Sequence, residues 1–306
     1  MSSPPDSGTT GPPPLVSVGV PVFDGEDYLP ACLESLTGQT YAELEILISD
    51  NGSSDGTEEI CRDYAHRDER VRYHRRPHNL GAAVNYNGLA HMARGRYFKW
   101  ASHDDICAPS LVERCVAEIS RHPEAVLVYP RTYLIDGTGA IMDEYADRLD
   151  LRQASPTVRM WHFASNWSLC NAVFGLIDRD RLLETGLIRP QVSSDVTLLG
   201  ELVVRGRFHE LQERLFYRRI HPRSSRQGDL TLEEVAAWFD TRDPHVPMVS
   251  PATRVMGELV GSLLGSPLPA RARIGPAIGY VGAWGIRRIR VRVGRARAAL
   301  REARSS

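Results

Sequence analysis

Apolar and polar positions along the first 130 residues follow two alternating rhythms. "LVSVGVPVF" (15–23) is a short, β-rich apolar run. In "DYLPACLESLTGQ" (27–39) the spacing changes: Leu29, Leu33 and Leu36 recur every three or four residues, which predicts a helix. "LEILISD" (44–50) predicts a second strand, closed by the turn-rich "NGSSDGT". A helix over 57–66 and a short strand "VRYHR" (71–75) come next. Helix "GAAVNYNGLAHMA" (81–93) leads into strand "YFKWAS" (97–102), then a helix over 110–121 and strand "AVLVYP" (125–130). Strands alternating with helices at this spacing predict an α/β fold with a Rossmann-like, wound, mostly parallel sheet. The strands are apolar on both faces, as a sheet covered by helices requires.

After about residue 131 the rhythm breaks. Residues 131–228 are mixed and carry Trp161, Trp167 and Tyr217. From 229 to 306 the pattern is helical and ends rich in arginine. Residues 1–14 are Pro, Ser, Gly and Thr, without the basic and apolar regions of a signal peptide, and read as a disordered tail. No run reaches the ~18 apolar residues of a membrane span, so the expected location is cytoplasmic.

Composition changes this picture little. The 306 residues carry a net charge of −1, so no overall field points to nucleic acid. The cysteines at 32, 61, 107, 115 and 170 form no CxxC, and indicate neither a disulfide framework nor a zinc site. Lys99 is the single lysine, which removes most lysine chemistry from consideration.

The candidate chemistry lies at the strand ends. In a parallel wound sheet the carboxyl ends share one edge, where ligands bind. The first strand ends on Pro21 to Asp24, the second on Asp50 and Asn51, the fourth on Asp104 and Asp105. Gathered carboxylates repel unless a cation neutralises them. Hard oxygen ligands with open positions suit Mg2+ or Mn2+ shared with substrate phosphates. The plainer alternative is that Asp104 or Asp105 caps the helix after Pro109.

These residues resemble the family 2 glycosyltransferases of the GT-A fold. The resemblance runs through 16–57, 79–110, "SSDVTLLGELVVRGRF" (193–208) and "FYRRIHPRSS" (216–225). It implies a nucleotide-sugar-binding half over 15–130, an acceptor-side half over 131–228 and a helical extension over 229–306. Pro21, Phe23, Asp24, Glu26, Asp50, Asn51, Gly81, Asn85 and Asp104 would bind the nucleotide, with Phe23 stacking on the base. The family's Asp-Asp after the second strand reads Asp50-Asn51 here, and its Asp-x-Asp-Asp reads Ser102-His103-Asp104-Asp105. The resemblance makes Asp104, Asp105 and His221 the holders of Mg2+ or Mn2+, and Asp195 the base of an inverting transfer. Arg218, Arg219 and Arg223 are candidates for phosphate contact. Trp161 and Trp167 stand where acceptor sugars stack, or in the core.

The implied donor is a nucleoside-diphosphate sugar. The acceptor is a glycan, a lipid-linked molecule or a small molecule. A sugar-1-phosphate nucleotidylyltransferase would need a Gly-rich basic first loop, where "VPVFDGED" is acidic. A catalytically degenerate binding module is the non-enzymatic alternative. Finally, Ile286, Ile289, Val293, Ala296 and Leu300 form a thin apolar stripe among arginines. Such a helix packs on its own domain or lies on an anionic membrane, which would place the protein peripherally at the inner membrane face.

Overall fold

All seven residues of the first strand, β1 (Val16–Val22), are buried. So are all seven of β2 (Leu44–Asp50) and all four of β4 (Tyr97–Trp100). The cause is visible in how alternate residues part. Val16, Val18, Val20, Ile46 and Ile48 enter one apolar layer with α1 (Leu29–Thr37) and α4 (Leu111–Arg121). Leu47, Phe98 and Trp100 enter the other, with α3 (Ala82–Met92), α5 (Pro156–Asn166) and α7 (Ser194–Arg205). Burying each side chain contributes on the order of 1.5–3 kcal/mol, which is why unbroken apolar strands become central ones.

The remaining elements are α2 (Thr57–Arg67), β3 (Val71–Arg75), β5 (Ile106–Cys107), β6 (Ala125–Ile135), β7 (Ile141–Tyr145), β8 (Leu176–Asp178), α6 (Arg179–Leu183), β9 (Arg207–Arg219) and α8 (Pro251–Gly265). The computed structural model describes residues 15–222, 238–239, 251–266, 269–270 and 272–287. The expectations for 1–14, for Arg223 and for the basic stripe beyond 287 lie outside the described residues. Among the described residues no helix is long and apolar enough to cross a membrane.

One sheet runs β3-β2-β1-β4-β8-β6-β9-β5, with β7 paired to β6. β3, β2, β1 and β4 are parallel, as are β6 and β9. β8, β5 and β7 pair antiparallel to their neighbours. The sheet is therefore parallel in its first half and mixed in its second. The sequence reading ended a strand at Pro130, but β6 crosses that boundary and continues to Ile135. Proline cannot complete the ladder, and the strand answers with register shifts around Arg131 instead of stopping.

Lys99 is fully buried, and its ammonium donates to the carbonyl oxygens of Phe174 (2.6 Å) and Trp100 (3.2 Å). The single lysine thus anchors the 3-10 turn Asn171–Phe174. The helical stretch 272–287 adds Ala277, Tyr280 and Ala283 to the core. It approaches α5 closely: a Cβ on Gly282 would lie 3.0 Å from the Trp161 ring.

Candidate active site

The ends of β1, β2 and β4 open on one cavity of about 360 Å³. Pro21, Phe23, Asp24, Asn51, Asn85 and Asp104 line it, and Asp105 and His221 complete its floor. Phe23 is 38% exposed at the rim, an unusual place for a phenyl ring without a partner to cover it.

Two loops are stitched together beneath that rim. Asp24 adopts a left-handed φ of 46°, and its Oδ1 accepts from the Ser54 amide at 2.8 Å. Ser53 Oγ accepts from the Asp24 amide (2.9 Å), and Thr57 Oγ1 from that of Gly25 (2.9 Å). Glu26 accepts from the Gly56 amide at 2.7 Å. A Cβ on Gly25 would sit 2.7 Å from the His103 ring, so the first loop packs directly on the turn that carries Asp104.

Glu26, Asp50 and Gly81 are absent from the cavity lining. Asp50 is fully buried. It accepts from Tyr73 Oη (2.8 Å) and the Ser53 amide (2.8 Å), and pairs with Arg75 at 3.3 Å. Truncating it strands the Tyr73 hydroxyl and the Ser53 amide, while Arg75 keeps Glu58 at 3.0 Å. Asp50→Ala should lower unfolding free energy by about 2–4 kcal/mol while leaving nucleotide affinity of the folded protein nearly unchanged; chemical denaturation and calorimetric titration read the two separately. Gly81 opens α3 with φ 86°, a conformation that side chains disfavour. Asn51 sends its amide hydrogens to Asn79 Oδ1 (2.7 Å) and the Gly81 carbonyl (3.3 Å), so it shapes the 79–81 loop. Asn85 donates to the Ser49 carbonyl at 2.9 Å and is fixed across the β1 and β2 ends.

Neither adjacent acid caps a helix, because Ser110 is the residue preceding α4. They have different surroundings instead. Burial alone would raise the Asp104 carboxyl. His221 at 2.9 Å, the charge of His103 and the Ser102 hydroxyl at 2.5 Å outweigh it and hold Asp104 well below the usual carboxylate range. Burial and the charge of Asp104 push Asp105 well up. Asp105 Oδ1 accepts from the Arg219 amide at 2.8 Å, and Arg219 Nε donates to the Asp104 carbonyl at 2.8 Å. The end of β9 is thus clamped to the acid turn. Ser102, standing where the family pattern has an acid, orients Asp104 by hydrogen bond.

Asp104 Oδ2 and His221 Nε2, side by side on the cavity wall, fit a divalent cation: one carboxylate oxygen and one imidazole nitrogen face the same space. Tyr28 packs against the imidazole, with ring centroids 4.9 Å apart, and the Arg219 guanidinium lies 4.7 Å from the centroid of the same tyrosine ring.

A smaller cavity of about 100 Å³ adjoins the first. Asp195 lines it, together with Trp100, Val173, Ile188 and Phe239. Ala82, Tyr86, Phe174, Arg218 and Trp238 line both cavities. Asp195 stands in the first turn of α7, past the Ser193 cap position, and its Oδ1 accepts from the adjacent Val196 amide at 2.9 Å. Trp161 and Trp167 line neither cavity. Trp161 packs on the 272–287 stretch, and the Arg287 guanidinium lies 4.1 Å over Trp167.

Residues 17–155 match the profile of glycosyl transferase family 2. Residues 17–155 thus form a domain similar to that family. A Rickettsia typhi protein described as an uncharacterized glycosyltransferase is 36% identical over 124 residues, covering 40% of this chain and 38% of its own. The Escherichia coli chondroitin synthase is 31% identical over 137 residues, covering 45% of this chain and 20% of its own. The similarity to these curated relatives therefore spans well under half of their length.

Solved structures extend the likeness to the fold of nearly the whole chain. TarS 1–349 of S. aureus, in complex with UDP-GlcNAc, matches with a TM-score of 0.64 at 16% identity, covering 88% of this chain and 72% of that one. The mannosyltransferase PcManGT of Pyrobaculum calidifontis, with GDP-Man and Mn2+, matches with a TM-score of 0.52 at 16% identity, covering 94% and 81%. The chain thus has the GT-A fold, a mixed α/β sheet with a helical C-terminal region.

Sequence reasoning passed over Tyr28, Tyr86, Phe174 and Trp238. Tyr28 read as the start of a helix, and Phe174 as part of an irregular stretch. Nothing in the local pattern around Trp238 signals that it lies edge-on to Tyr86, with ring centroids 6.4 Å apart.

Proposed function

We propose that this protein transfers a sugar from a nucleoside-diphosphate sugar to an acceptor hydroxyl, with inversion at the anomeric carbon. One observation carries the reading: the cavity holding Asp104 and His221 shares a wall with the cavity holding Asp195. The donor fits the larger space and the acceptor hydroxyl the smaller. Their reacting atoms then meet at the wall of Tyr86, Phe174, Arg218 and Trp238.

Each residue has a part. Phe23 offers its exposed ring to the base, and Asn51 and Asn85 hold the loops around the nucleotide. Asp104 and His221 would hold Mg2+ or Mn2+, which when bound offsets charge on the departing diphosphate. Arg218 lies between the cavities, tethered to the Leu169 carbonyl at 3.2 Å and to Asn171, and faces the same phosphates. Asp195 accepts the proton of the acceptor hydroxyl as that oxygen attacks. The sugar–oxygen bond to the diphosphate breaks as the new glycosidic bond forms, so no nucleophilic side chain is required.

The neighbouring structures hold a uridine and a guanosine donor. A thermal-shift panel of nucleoside diphosphates with and without Mn2+ identifies the base, since a ligand bound only by the native state raises Tm. A panel in which no nucleoside diphosphate stabilises the protein defeats the reading. Within that panel, Phe23→Ala should weaken the preferred nucleotide by on the order of 1 kcal/mol, about fivefold, through lost ring contact. Unchanged affinity places the base elsewhere.

A further inference from the structure

Glu118, His122 and His209 meet where the end of α4 passes the start of β9, and none of them lines either cavity. One ligand atom from each lies within 4.8 Å of the others. Glu118 and His122 are one helical turn apart, on α4 and just past its end. His209 comes from β9, where it pairs with Val128 of β6. Ten residues of β9 separate it from Arg219, a span of about 30 Å at strand rise. The cluster is therefore remote from Asp104 and His221.

The spacing suits a metal. Glu118 Oε1 is 2.9 Å from His209 Nδ1 and 3.7 Å from His122 Nε2. Bonds of about 2.0–2.1 Å in a tetrahedral site put ligand atoms roughly 3.3 Å apart. The observed separations bracket that value. The other nitrogen of His122 faces Glu124 Oε1 at 3.5 Å, and Arg207 holds Glu124 at 3.0 Å. A carboxylate on the far nitrogen of a metal-binding histidine fixes its tautomer and raises its basicity.

His209 is 1% exposed, and its Nε2 has no hydrogen-bond partner among the described residues. Burial lowers its pKa despite Glu118. His122 is 37% exposed, which leaves an entry path and room for water ligands. Arg152, 3.3 Å from Glu118, opposes a cation, but it is shared with Asp150 at 2.8 Å. Glu118, Glu124 and Asp150 together outweigh Arg152 and Arg207.

We infer that Glu118, His122 and His209 form a second divalent-cation site that clamps α4 to the start of β9. Two imidazoles and one carboxylate favour a zinc-class ion over Mg2+, which prefers a shell made mostly of oxygen ligands. The site would act on stability and leave the sugar-transfer chemistry to the other end of β9.

The test uses the full chain carrying Asp104→Asn, which silences the active-site cation. Calorimetric titration with Zn2+ should show binding with Kd below about 10 µM, and a raised Tm. Adding His122→Ala should remove one equivalent and the Tm gain, while the metal-free Tm stays nearly the same because His122 is partly exposed. Glu118→Gln, which keeps the side-chain volume, should weaken Zn2+ at least about tenfold. Co2+ in place of Zn2+ should give the intense visible absorption of a four-coordinate site, lost with His122→Ala. Unchanged Zn2+ stoichiometry with and without His122 overturns the proposal. So does the absence of Zn2+ binding in the Asp104→Asn chain.

Discussion

Asp104→Asn should lower metal-dependent sugar transfer by about 10³-fold or more, equivalent to about 4 kcal/mol of lost charge stabilisation. The substitution keeps the side-chain shape and removes the charge. Asparagine can still accept from Ser102, so the turn that carries it should stay folded. What is lost is the anionic oxygen facing His221 at 2.9 Å. Without it, the proposed cation site would keep a single imidazole. The measurement is initial rate against Mn2+ concentration for both proteins, with Tm as the control for folding. Equal turnover and equal metal dependence in the two proteins would remove Asp104 from the cation site.

Asp195→Asn should reduce turnover by roughly 10²–10⁴-fold, the contribution of a positioned general base. Nucleoside-diphosphate affinity should stay close to that of the unaltered protein, because Asp195 lines the smaller cavity and is absent from the lining of the larger. Stability should fall little. Asp195 sits in the first turn of α7, where an acid is worth about 0.3–1 kcal/mol against the helix dipole. Single-turnover kinetics separates the chemical step from nucleotide binding. Parallel loss of binding and turnover would mean that the residue supports the fold of this region and not the reaction.

The two substitutions separate the halves of the proposed mechanism. One acts on the departing diphosphate, the other on the arriving hydroxyl. A protein that bound nucleotide but transferred nothing would be insensitive to Asp195→Asn in every assay. That outcome is the signature of a degenerate binding module.

The sequence by itself determined the first half of the sheet and the edge at which its polar strand ends gather. Mainly apolar runs such as "LEILISD" form strands buried on both faces, and their polar ends then share an edge. This is why Pro21, Asn51 and Asp104, far apart in the chain, were expected in one crevice and line one cavity. Other features depended on the tertiary structure, because they involve groups from distant segments. Asp50 and Asn51 are adjacent in sequence, yet strand alternation sends one into the Tyr73 and Ser53 network and the other toward the cavity. Asp104 and Asp105 are told apart by His221 and by the Arg219 amide, more than a hundred residues away. Trp161 and Trp167 could not be assigned from local pattern, since a tryptophan suits a sugar or a core equally. In the folded chain neither lines a cavity: Trp161 lies beside Gly282, and Trp167 packs against the core under Arg287. Residues from one local segment reveal a strand and its end, whereas partners brought together from four strands and two helices are set only when the chain has folded.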